Sequence, residues 1–381
     1  MTARLAKSVG EYPLRDGNHF ELLVDGDVFV PRMLAAIDAA EELICLEMYL
    51  FESGEVATRF IQAMLRAAQR GVRVCVLLDA FGARGLLESD REQLVRGGIE
   101  MRFYNPPRWY PFSHWKRNII RDHRKFLLID NVCGFTGGAG ITDAFISQAG
   151  KPAWRESMLL IRGPVLVDCQ HLFDRLWRWL GGKALTPGHP PAAAGTIPAQ
   201  LLVSHGFSGQ GIYRAIKQAM RRTRQRLWMS TPYFIPSRRM RRALVRAARR
   251  GVDVRLLLPE HSDHPAVSLA SQRHYTRLLK AGVRIYAYRS RVLHSKIMLC
   301  DDWVSMGSSN YDRFTMRWNI EANLAIPSVE FAGQVREQFA IDFVHSEIIN
   351  LSDWQQRAWW LRLRQRFWSK MANLLDRLRR H

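Results

Sequence analysis

The sequence contains one domain pattern twice, and this repeat constrains the fold more than any other feature. LRAAQRGVRV at residues 65–74 recurs as VRAARRGVDV at residues 245–254, with seven of ten positions identical. Three further pairs of segments keep the same order around it: ELICLEMYLF and RLWMSTPYFI, LVRGGIEMRFY and LLKAGVRIYAY, HRKFLLID and HSKIMLCD. Because the period is far longer than the roughly 20–50 residues of a solenoid repeat, it indicates two copies of one domain.

Within each copy, amphipathic helices alternate with buried strands. RFIQAMLRAAQRG has apolar residues at helical spacing and ends at Gly71, which suits a helix C-cap. The following VRVCVLLD is a nearly continuous aliphatic run, typical of a buried parallel strand. Strands alternating with helices predict an α/β fold. The predicted organisation is a first domain at residues 1–182, a linker rich in Pro, Gly and Ala at 183–200, a second domain at 201–349 and a basic, Trp-rich tail at 350–381 that suits an amphipathic helix.

A His-x-Lys-x4-Asp motif occurs once in each copy. Side chains alternate between the faces of a strand, so the His and Lys of each motif share one face. The Asp has the opposite parity and stands at the strand end, which predicts a positioning role within the motif. The residues of the two motifs, taken as the catalytic candidates, are His123, Lys125, Asp130, His294, Lys296 and Asp301.

Two histidines and two lysines in paired copies suit attack on a phosphodiester. Such a substrate is an anion, so the site needs fixed positive charge. One imidazole can attack phosphorus, the other can protonate the leaving oxygen, and lysines can hold the phosphoryl oxygens. This chemistry needs no cofactor and no metal, and no carboxylate cluster of the type that binds hard cations is evident.

A turn of small residues and then a glutamate follow each motif. The small residues predict close approach of the backbone to a phosphate. Glu156 and Glu321 come next, and a carboxylate beside a catalytic imidazole would fix its tautomer and raise its basicity. The alternative for each glutamate is a solvent-exposed salt bridge to one of the many arginines. The supporting residues of the turns are Gly137, Gly138, Ser308, Ser309 and Asn310.

Paired HxKxxxxD motifs, each followed by GG or GSxN, resemble those of the phospholipase D superfamily. The segments ICLEMYLF, WRESMLLIRGPVLVD and LHSKIMLCDDWVSMGSSNYD are most similar to bacterial cardiolipin synthases of the short type without N-terminal transmembrane helices. The resemblance covers nearly everything from about residue 20 to 350. It implies two repeated phospholipase D-like α/β/α sandwich domains that form a pseudo-two-fold monomer with a shared active site.

The resemblance also implies roles for the motif residues. One of His123 and His294 would carry a phosphohistidine, with His123 favoured, and the other would act as general acid and then as base. Gly140 stands where the second copy has an asparagine, so the first copy lacks one phosphate-binding amide, and a neighbour such as Thr142 is an alternative. The implied supporting roles are phosphoryl binding by Lys125, Lys296 and Asn310, and orientation of the histidines by Glu156 and Glu321.

The charge balance predicts a polyanionic partner. There are 56 Lys and Arg against 35 Asp and Glu, a net charge of +21. Nucleic acid and an anionic membrane both fit this balance. Aromatic residues interleaved with basic ones favour anionic phospholipids at a membrane surface over nucleic acid, although the tail would alternatively dock on the catalytic core. The predicted lipid contacts are Trp109, Tyr110, Phe112, Trp115, Trp359 and Trp360.

The expected function is transfer of a phosphatidyl group, through a phosphohistidine, to the glycerol hydroxyl of phosphatidylglycerol. The alternatives are a hydrolytic phospholipase D that gives phosphatidic acid, a nuclease of the same superfamily, and a non-catalytic membrane-binding protein. The donor is phosphatidylglycerol or phosphatidylethanolamine, and no protein partner is inferred. No apolar run reaches the length of a transmembrane helix and no secretory signal is present, so a peripheral protein on the cytoplasmic face of the bacterial inner membrane is expected.

Overall fold

A computed structural model defines the positions of most of the chain. The residues that it describes are 11–107, 118–185, 191–206, 210–312, 318–361, 364, 365, 367, 368 and 371. Four of the predicted lipid contacts lie outside the described residues, namely Trp109, Tyr110, Phe112 and Trp115.

The first half of the chain alternates strands with helices, as the sequence pattern predicts. Its strands are β1 (Leu14–Val24), β2 (Leu43–Met48), β3 (Arg73–Asp79), β4 (Glu100–Tyr104), β5 (Phe126–Ile129), β6 (Cys133–Gly137) and β7 (Ser157–Arg162). Its helices are α1 (Gly26–Asp38), α2 (Glu55–Gln69), α3 (Glu88–Arg96) and α4 (Leu166–Trp179).

The second half repeats this order, has two short helices where the first half has α3, and adds a short strand and a short helix at its end. Its strands are β8 (Ile197–His205), β9 (Arg226–Ser230), β10 (Asp253–Pro259), β11 (Arg284–Tyr288), β12 (Ile297–Cys300), β13 (Trp303–Gly307), β14 (Ile320–Pro327) and β15 (Ser346–Ile348). Its helices are α5 (Gly211–Arg222), α6 (Arg238–Arg249), α7 (Pro265–Gln272), α8 (Tyr275–Leu279), α9 (Val329–Val344) and α10 (Leu351–Gln356).

Within the described residues the strands join into one continuous sheet. From its centre, the order β1-β7-β6-β5-β2-β3-β4 on one side matches β8-β14-β13-β12-β9-β10-β11 on the other, with β15 added at the second edge. Strands β1 and β8 pair antiparallel, with Leu14 opposite Gln200. This symmetry confirms the predicted pair of repeated α/β domains. β8 begins at Ile197, so the prediction that residues 183–200 form a linker is wrong at its end, because this apolar run pairs with β1.

The predicted repeat element has the expected local structure. β3 pairs in parallel with β2 and β4, and six of its seven residues are buried. α2 ends at Gln69, and Gly71 follows with a φ of 90°, a conformation that glycine adopts without strain. The aliphatic run at residues 72–79 is therefore a buried parallel strand, as predicted.

Helices cover both faces of the sheet and create three apolar clusters. On one face, α1 and α2 pack on the first half, and α5, α6 and α8 pack on the second. On the other face, α4 and α9 lie over a single cluster that runs through both halves. Phe20 of β1 meets Phe331 of α9 there, with ring centroids 5.8 Å apart. Burial of each such ring contributes about 1.5–3 kcal/mol to stability, so this shared cluster stabilises the association of the two halves.

The beginning of the tail packs on the second half. Trp354 of α10 is buried, and its ring centroid lies 5.0 Å from that of Tyr275. The prediction of a tail separate from the second domain is therefore wrong at its start, because Trp354 belongs to that domain's apolar core. Trp359 and Trp360 are 67% and 48% exposed. In the described part of the chain, no helix has the length and apolar character needed to cross a bilayer.

Candidate active site

The loop that carries each histidine is held by the backbone of the other half. His123 precedes β5, and its amide donates to the carbonyl of Ile320 at 2.9 Å. His294 precedes β12, and its amide donates to the carbonyl of Arg155 at 2.8 Å. Each of these acceptors directly precedes one of the two predicted glutamates. The exchange of backbone hydrogen bonds therefore brings each histidine to the glutamate of the opposite half.

The side chains complete this exchange. His123 Nδ1 lies 2.9 Å from a carboxylate oxygen of Glu321, and His294 Nδ1 lies 2.7 Å from Glu156 Oε2. Both glutamates are fully buried, so the alternative of a solvent-exposed salt bridge is wrong. The histidine side chains remain 13% and 12% exposed. Because each glutamate contacts Nδ1, Nε2 of each ring is left for a ligand, and Lys296 Nζ also lies 3.4 Å from His294 Nε2.

The two motif lysines are buried beside the histidines. Lys125 Nζ donates to the carbonyl of His123 at 2.8 Å and lies 5.4 Å from the ring centroid of Tyr49. Lys296 Nζ donates to Glu156 Oε2 at 3.3 Å and lies 3.0 Å from His294 Nδ1. Lys296 therefore lies next to its own imidazole, whereas Lys125 is bonded to the backbone of its histidine.

Burial and mutual repulsion oppose positive charge in the site. Burial lowers the pKa of Lys125 to about 7 and also lowers that of Lys296. It lowers the pKa of His123 below the ordinary histidine value and that of His294 to about 4. Burial opposes ionisation of Glu156, but Lys296 and His294 outweigh burial and lower the pKa of this carboxyl. An anion bound between these groups would favour their protonated forms.

Charges of one half act on the groups of the other half. Lys296 lowers the pKa of both His123 and Lys125, whereas Glu156 raises that of Lys125. Glu321 in turn raises the pKa of Lys296. Since such interactions weaken with distance, the two motifs form one site rather than two.

The two motif aspartates lie outside this site. Asp130 follows β5 and Asp301 follows β12, at the strand ends away from the histidines, and each accepts three backbone hydrogen bonds of 2.7–3.0 Å. Their inclusion with the catalytic residues is corrected, because both carboxylates anchor the chain that enters β2 and β9. No group of three or more His, Cys, Asp or Glu in the described residues is arranged to hold a metal ion. The donating amides are those of Glu41, Glu42 and Leu43 for Asp130, and of Arg224, Gln225 and Arg226 for Asp301.

The small residues after each motif serve the glutamates. A Cβ added to Gly138 would lie 2.1 Å from Glu156 Oε2, so glycine is required for the carboxylate to reach its position. At the matching position of the second half, Ser308 donates to Glu321 Oε2 at 2.5 Å. Gly137 likewise packs against the neighbouring strand, where a Cβ would lie 2.6 Å from a backbone carbonyl. These small residues therefore allow the backbone to approach the buried carboxylates, and their approach to a phosphate stays a prediction.

The turn of the second half also holds a buried amide. Asn310 is buried, and its Oδ1 has no hydrogen-bond partner among the described residues. In the first half a Cβ on Gly140 would lie 2.7 Å from the Cβ of Leu50, which leaves no room for an asparagine there. Thr142 does not replace the missing amide, because its hydroxyl donates to Glu52 at 2.8 Å. The backbone N–H of Ser309 donates to Asn323 Oδ1 at 3.1 Å, and this hydrogen bond supports the turn.

Comparison with known proteins agrees with this geometry. The family model described as "Cardiolipin synthase, PLD-like domain" matches residues 33–177 and 216–343. The chain belongs to the cardiolipin synthase type of the phospholipase D superfamily. The chain is therefore an enzyme of this superfamily. It is 32% identical to a cardiolipin synthase of Geobacillus kaustophilus, covering 94% of the chain and 73% of that protein. It is also 32% identical to cardiolipin synthase B of Salmonella typhi, covering 91% and 86%.

Solved structures show the same fold. The phosphatidylserine synthase of Haemophilus influenzae superposes with a TM-score of 0.72 at 14% identity, covering 98% of both chains. A polyphosphate kinase of Porphyromonas gingivalis superposes with a TM-score of 0.56 at 16% identity, covering 84% of this chain and 46% of that one. At these identities the likeness concerns the fold alone.

The site of this superfamily member also contains aromatic residues that sequence reasoning missed. The ring centroid of Tyr49 lies 4.8 Å from that of His123, and the centroid of Tyr233 lies 6.4 Å from that of His294. Trp154 covers another side of His294 at 5.5 Å. The signal was present in the repeated MYLF and PYFI segments, where the tyrosine was interpreted only as part of an apolar strand.

A buried ion pair between the halves was also missed. Arg155, the residue before Glu156, is fully buried and donates to both carboxylate oxygens of Asp342 on α9, at 2.9 and 2.8 Å. It also donates to the carbonyl of Glu156 at 2.7 Å. This arginine therefore fixes the backbone that holds both Glu156 and the His294 loop. No sequence signal distinguished it from the other arginines, because its partner is distant in the chain.

Proposed function

We propose that this chain is a phosphatidyltransferase that makes cardiolipin through a phosphohistidine intermediate. The observation that carries the proposal is the exchange of His–Glu pairs between the halves, which gives one site two oriented imidazoles and two ammonium groups. The names of the 32% identical relatives supply the reaction class. In the proposed reaction a phosphatidyl group passes to the glycerol hydroxyl of phosphatidylglycerol.

The first step forms the intermediate. His123 Nε2 attacks the phosphorus of the donor lipid, while its Nδ1 is held by Glu321 at 2.9 Å. The bond from phosphorus to the headgroup oxygen breaks as the P–N bond forms. His294 gives its proton to that oxygen, and Glu156 at 2.7 Å stabilises the cationic form of His294.

The second step reverses these roles. The hydroxyl of the acceptor lipid attacks phosphorus and loses its proton to His294. The P–N bond breaks, which returns neutral His123. Transfer prevails over hydrolysis when the acceptor fills the position beside His294 and water is excluded.

The lowered pKa values suit this sequence. A low pKa keeps His123 neutral, as a nucleophile must be, at neutral pH. The acid His294 gains its proton when the anionic phosphodiester enters, because a negative charge nearby raises the pKa of an imidazole. The proposed phosphoryl ligands are Lys125, Lys296 and the buried amide of Asn310.

The proposal includes peripheral attachment to anionic phospholipids on the cytoplasmic face of the bacterial inner membrane. The exposed rings of Trp359 and Trp360 support it, since tryptophan favours the headgroup region of a bilayer. Arg364 lies 6.0 Å over the ring of Trp360 and adds positive charge at the same place. The net charge of +21 favours an anionic surface.

Product analysis tests the proposal. Purified protein is incubated with phosphatidylglycerol vesicles, with and without phosphatidylethanolamine, and lipids are identified by mass spectrometry. Cardiolipin with released glycerol is the expected result. Phosphatidic acid without cardiolipin would support a hydrolytic phospholipase D instead, and DNA cleavage without any lipid product would support a nuclease. His294→Asn is the inactive control, and His345→Asn, at the exposed end of α9, is the matched active one.

A further inference from the structure

The second half carries a polar cluster at the mouth of the site, formed by Tyr233, Asp263 and His264 and named here the second-half rim. The ring of Tyr233 stands at 81° to that of His294. Its hydroxyl donates to Asp263 Oδ2 at 2.5 Å. The ring centroid of His264 lies 5.4 Å from that of Tyr233. Asp263 and His264 side chains are 21% and 64% exposed, so a ligand has access to both.

Asp263 lies within electrostatic reach of the reacting groups. Its negative charge raises the pKa of His294 and of Lys296. Among the second-half rim residues it is therefore the one that joins the mouth of the site to the proposed acid and base. Tyr233 fixes Oδ2 of this carboxylate, which also lies 3.7 Å from His264 Nε2, and Oδ1 accepts a 3.2 Å hydrogen bond from Ser262.

The first half has a rim of opposite charge at the same place in the repeat. Phe81 and Arg84 follow β3, as His261 and His264 follow β10. The Arg84 guanidinium lies 3.7 Å over the ring of Phe81, and that of Arg121 lies 5.5 Å from the same ring. Ala83 takes the position of Asp263 and is fully buried. Among the residues named for the two rims, the one carboxylate is that of Asp263 in the second half.

We infer that Tyr233, Asp263 and His264 form the subsite for the alcohol part of the substrates and bind a headgroup with neighbouring hydroxyls, such as glycerol. The inference rests on the proposed function, in which the leaving and entering oxygens both lie beside His294. In both steps the reacting hydroxyl exchanges its proton with His294. Asp263 gains and loses no proton, and accepts hydrogen bonds from hydroxyls that do not react.

The surroundings of Asp263 favour hydroxyls over an ammonium group. Lys296 and the protonated form of His294 balance its charge and would repel a headgroup cation. This carboxylate is partly exposed, and the bonds from Tyr233 and Ser262 leave further lone pairs that can accept hydrogen bonds from a diol. His264 stands beside it with an exposed ring that can donate or accept. A monohydric alcohol would use less of this subsite.

Competition between small alcohols tests the inference. The full-length protein acts on phosphatidylglycerol vesicles with deuterated glycerol, 1-propanol and ethanolamine present together, and mass spectrometry measures the lipid made from each. Wild type is expected to prefer glycerol to propanol. Asp263→Asn is expected to lower the ratio of the glycerol product to the propanol product about tenfold, as for a lost hydrogen bond to a charged group. Tyr233→Phe removes the hydrogen bond that holds Asp263 in place and should lower the same ratio about threefold.

The matched control is Asp302→Asn, in the turn between β12 and β13 at the end away from Lys296, and it should keep the wild-type ratio. An unchanged ratio in both Asp263→Asn and Tyr233→Phe would overturn the inference, as would an equal fall of the ethanolamine product and the glycerol product. The product ratio is measured only for variants that fold. If Asp263→Asn does not fold, the ratio of Tyr233→Phe alone tests the inference. Absence of all transfer by wild type would overturn the proposed function itself, which distinguishes the two failures.

Discussion

The two halves of this enzyme place the same His-Lys pair at the end of the same strand but support it by different means. In the first half, Arg124 beside His123 forms a buried ion cluster with Glu47 at 2.6 Å and Asp122 at 3.0 Å. At the matching positions of the second half, the hydroxyls of Ser230 and Ser295 lie 2.8 Å apart. The positions match because Glu47 pairs with Phe126 in the first half, as Ser230 pairs with Ile297 in the second.

The difference shows that the geometry of the site does not depend on one kind of support. A buried ion cluster carries a large desolvation penalty, which hydrogen bonds and opposite charge offset only when every partner is present. The cluster continues to Asp79, which accepts a hydrogen bond of 2.9 Å from the amide of Asp122 and so ties the His123 loop to β3. The His294 loop has an ion pair across the halves, between Arg291 and Asp25. Both loops share the backbone hydrogen bonds to the other half, but the ionic support of the first loop comes from its own half and that of the second from the other half.

The largest expected effect comes from removing either histidine. His123→Ala removes the proposed nucleophile and His294→Ala the proposed acid, so each should lower phosphatidyl transfer at least about a thousandfold. Lipid products from phosphatidylglycerol vesicles give the measurement, with circular dichroism as the check of folding. Because two separate sites would each keep about half of the activity, a twofold loss in either variant would contradict the shared site.

A smaller effect is expected from the glutamates, and it differs between the halves. Glu156→Gln and Glu321→Gln keep the shape of each side chain but remove the charge, and should lower kcat about a hundredfold. The loss should be greater for Glu156→Gln, because Glu156 contacts both His294 and Lys296, whereas Ser308 also supports Glu321. Initial rates of both variants give the comparison. Equal losses, or a greater loss for Glu321→Gln, would mean that the two pairs do not differ in this way.

The repeat, the layered α/β fold and the buried parallel strand could be predicted, because each depends on patterns local to the chain. The His-Lys pairs could also be predicted, since identical spacing in two copies is improbable without a shared role. The exchange of Glu156 and Glu321 between the halves could not be. It depends on how β7 and β14 lie against the opposite His loop, and no local pattern encodes that arrangement.

The failures of prediction have the same cause. Asp130 and Asp301 are catalytic candidates only through their place in the motif, and the backbone hydrogen bonds that they accept fit the positioning role predicted from their parity. The need for a glycine at position 138 is explained by the carboxylate of Glu156, a contact that the motif alone does not indicate. The importance of Arg155 depends on Asp342, which is distant in sequence. Long-range polar contacts are therefore the part of the site that the sequence leaves undetermined.

A stability measurement tests the contrast between the two supports directly. Arg124→Met leaves Glu47 and Asp122 buried without their cation and should lower the free energy of unfolding by about 3–5 kcal/mol. The matched change Ser295→Ala removes one hydroxyl pair and should lower it by about 1 kcal/mol. Urea unfolding followed by circular dichroism gives both values. Similar losses would mean that the ion cluster does not hold the first loop more strongly than the hydroxyls hold the second.

The smallest expected effect is the shifted titration of the two histidines, whose lysine contacts differ. His294 Nδ1 lies 3.0 Å from the ammonium of Lys296, whereas Lys125 donates to the backbone of His123. His294 should therefore titrate near its pKa of about 4, and the pKa of His123 should also lie below the ordinary value of about 6.5. Nitrogen-15 NMR of the labelled rings gives both values, with His123→Asn and His294→Asn for assignment. A pKa of 6.5 or more for either ring in the free protein would contradict the prediction.

The same shifts fix the sign of the pH dependence of stability. Below pH 6.5 the unfolded chain binds protons at both positions while the native rings stay neutral, so acid favours the unfolded state. The native state keeps its full stability above the pKa of the unfolded histidines. This part of the stability is lost as the pH falls toward the pKa values of the folded rings. His294→Asn and His123→Asn should each flatten this dependence, because each removes a histidine whose pKa is lowered in the folded state. Urea midpoints between pH 7 and pH 5 measure the slopes, and a steeper slope in either variant than in wild type would reverse the assigned direction.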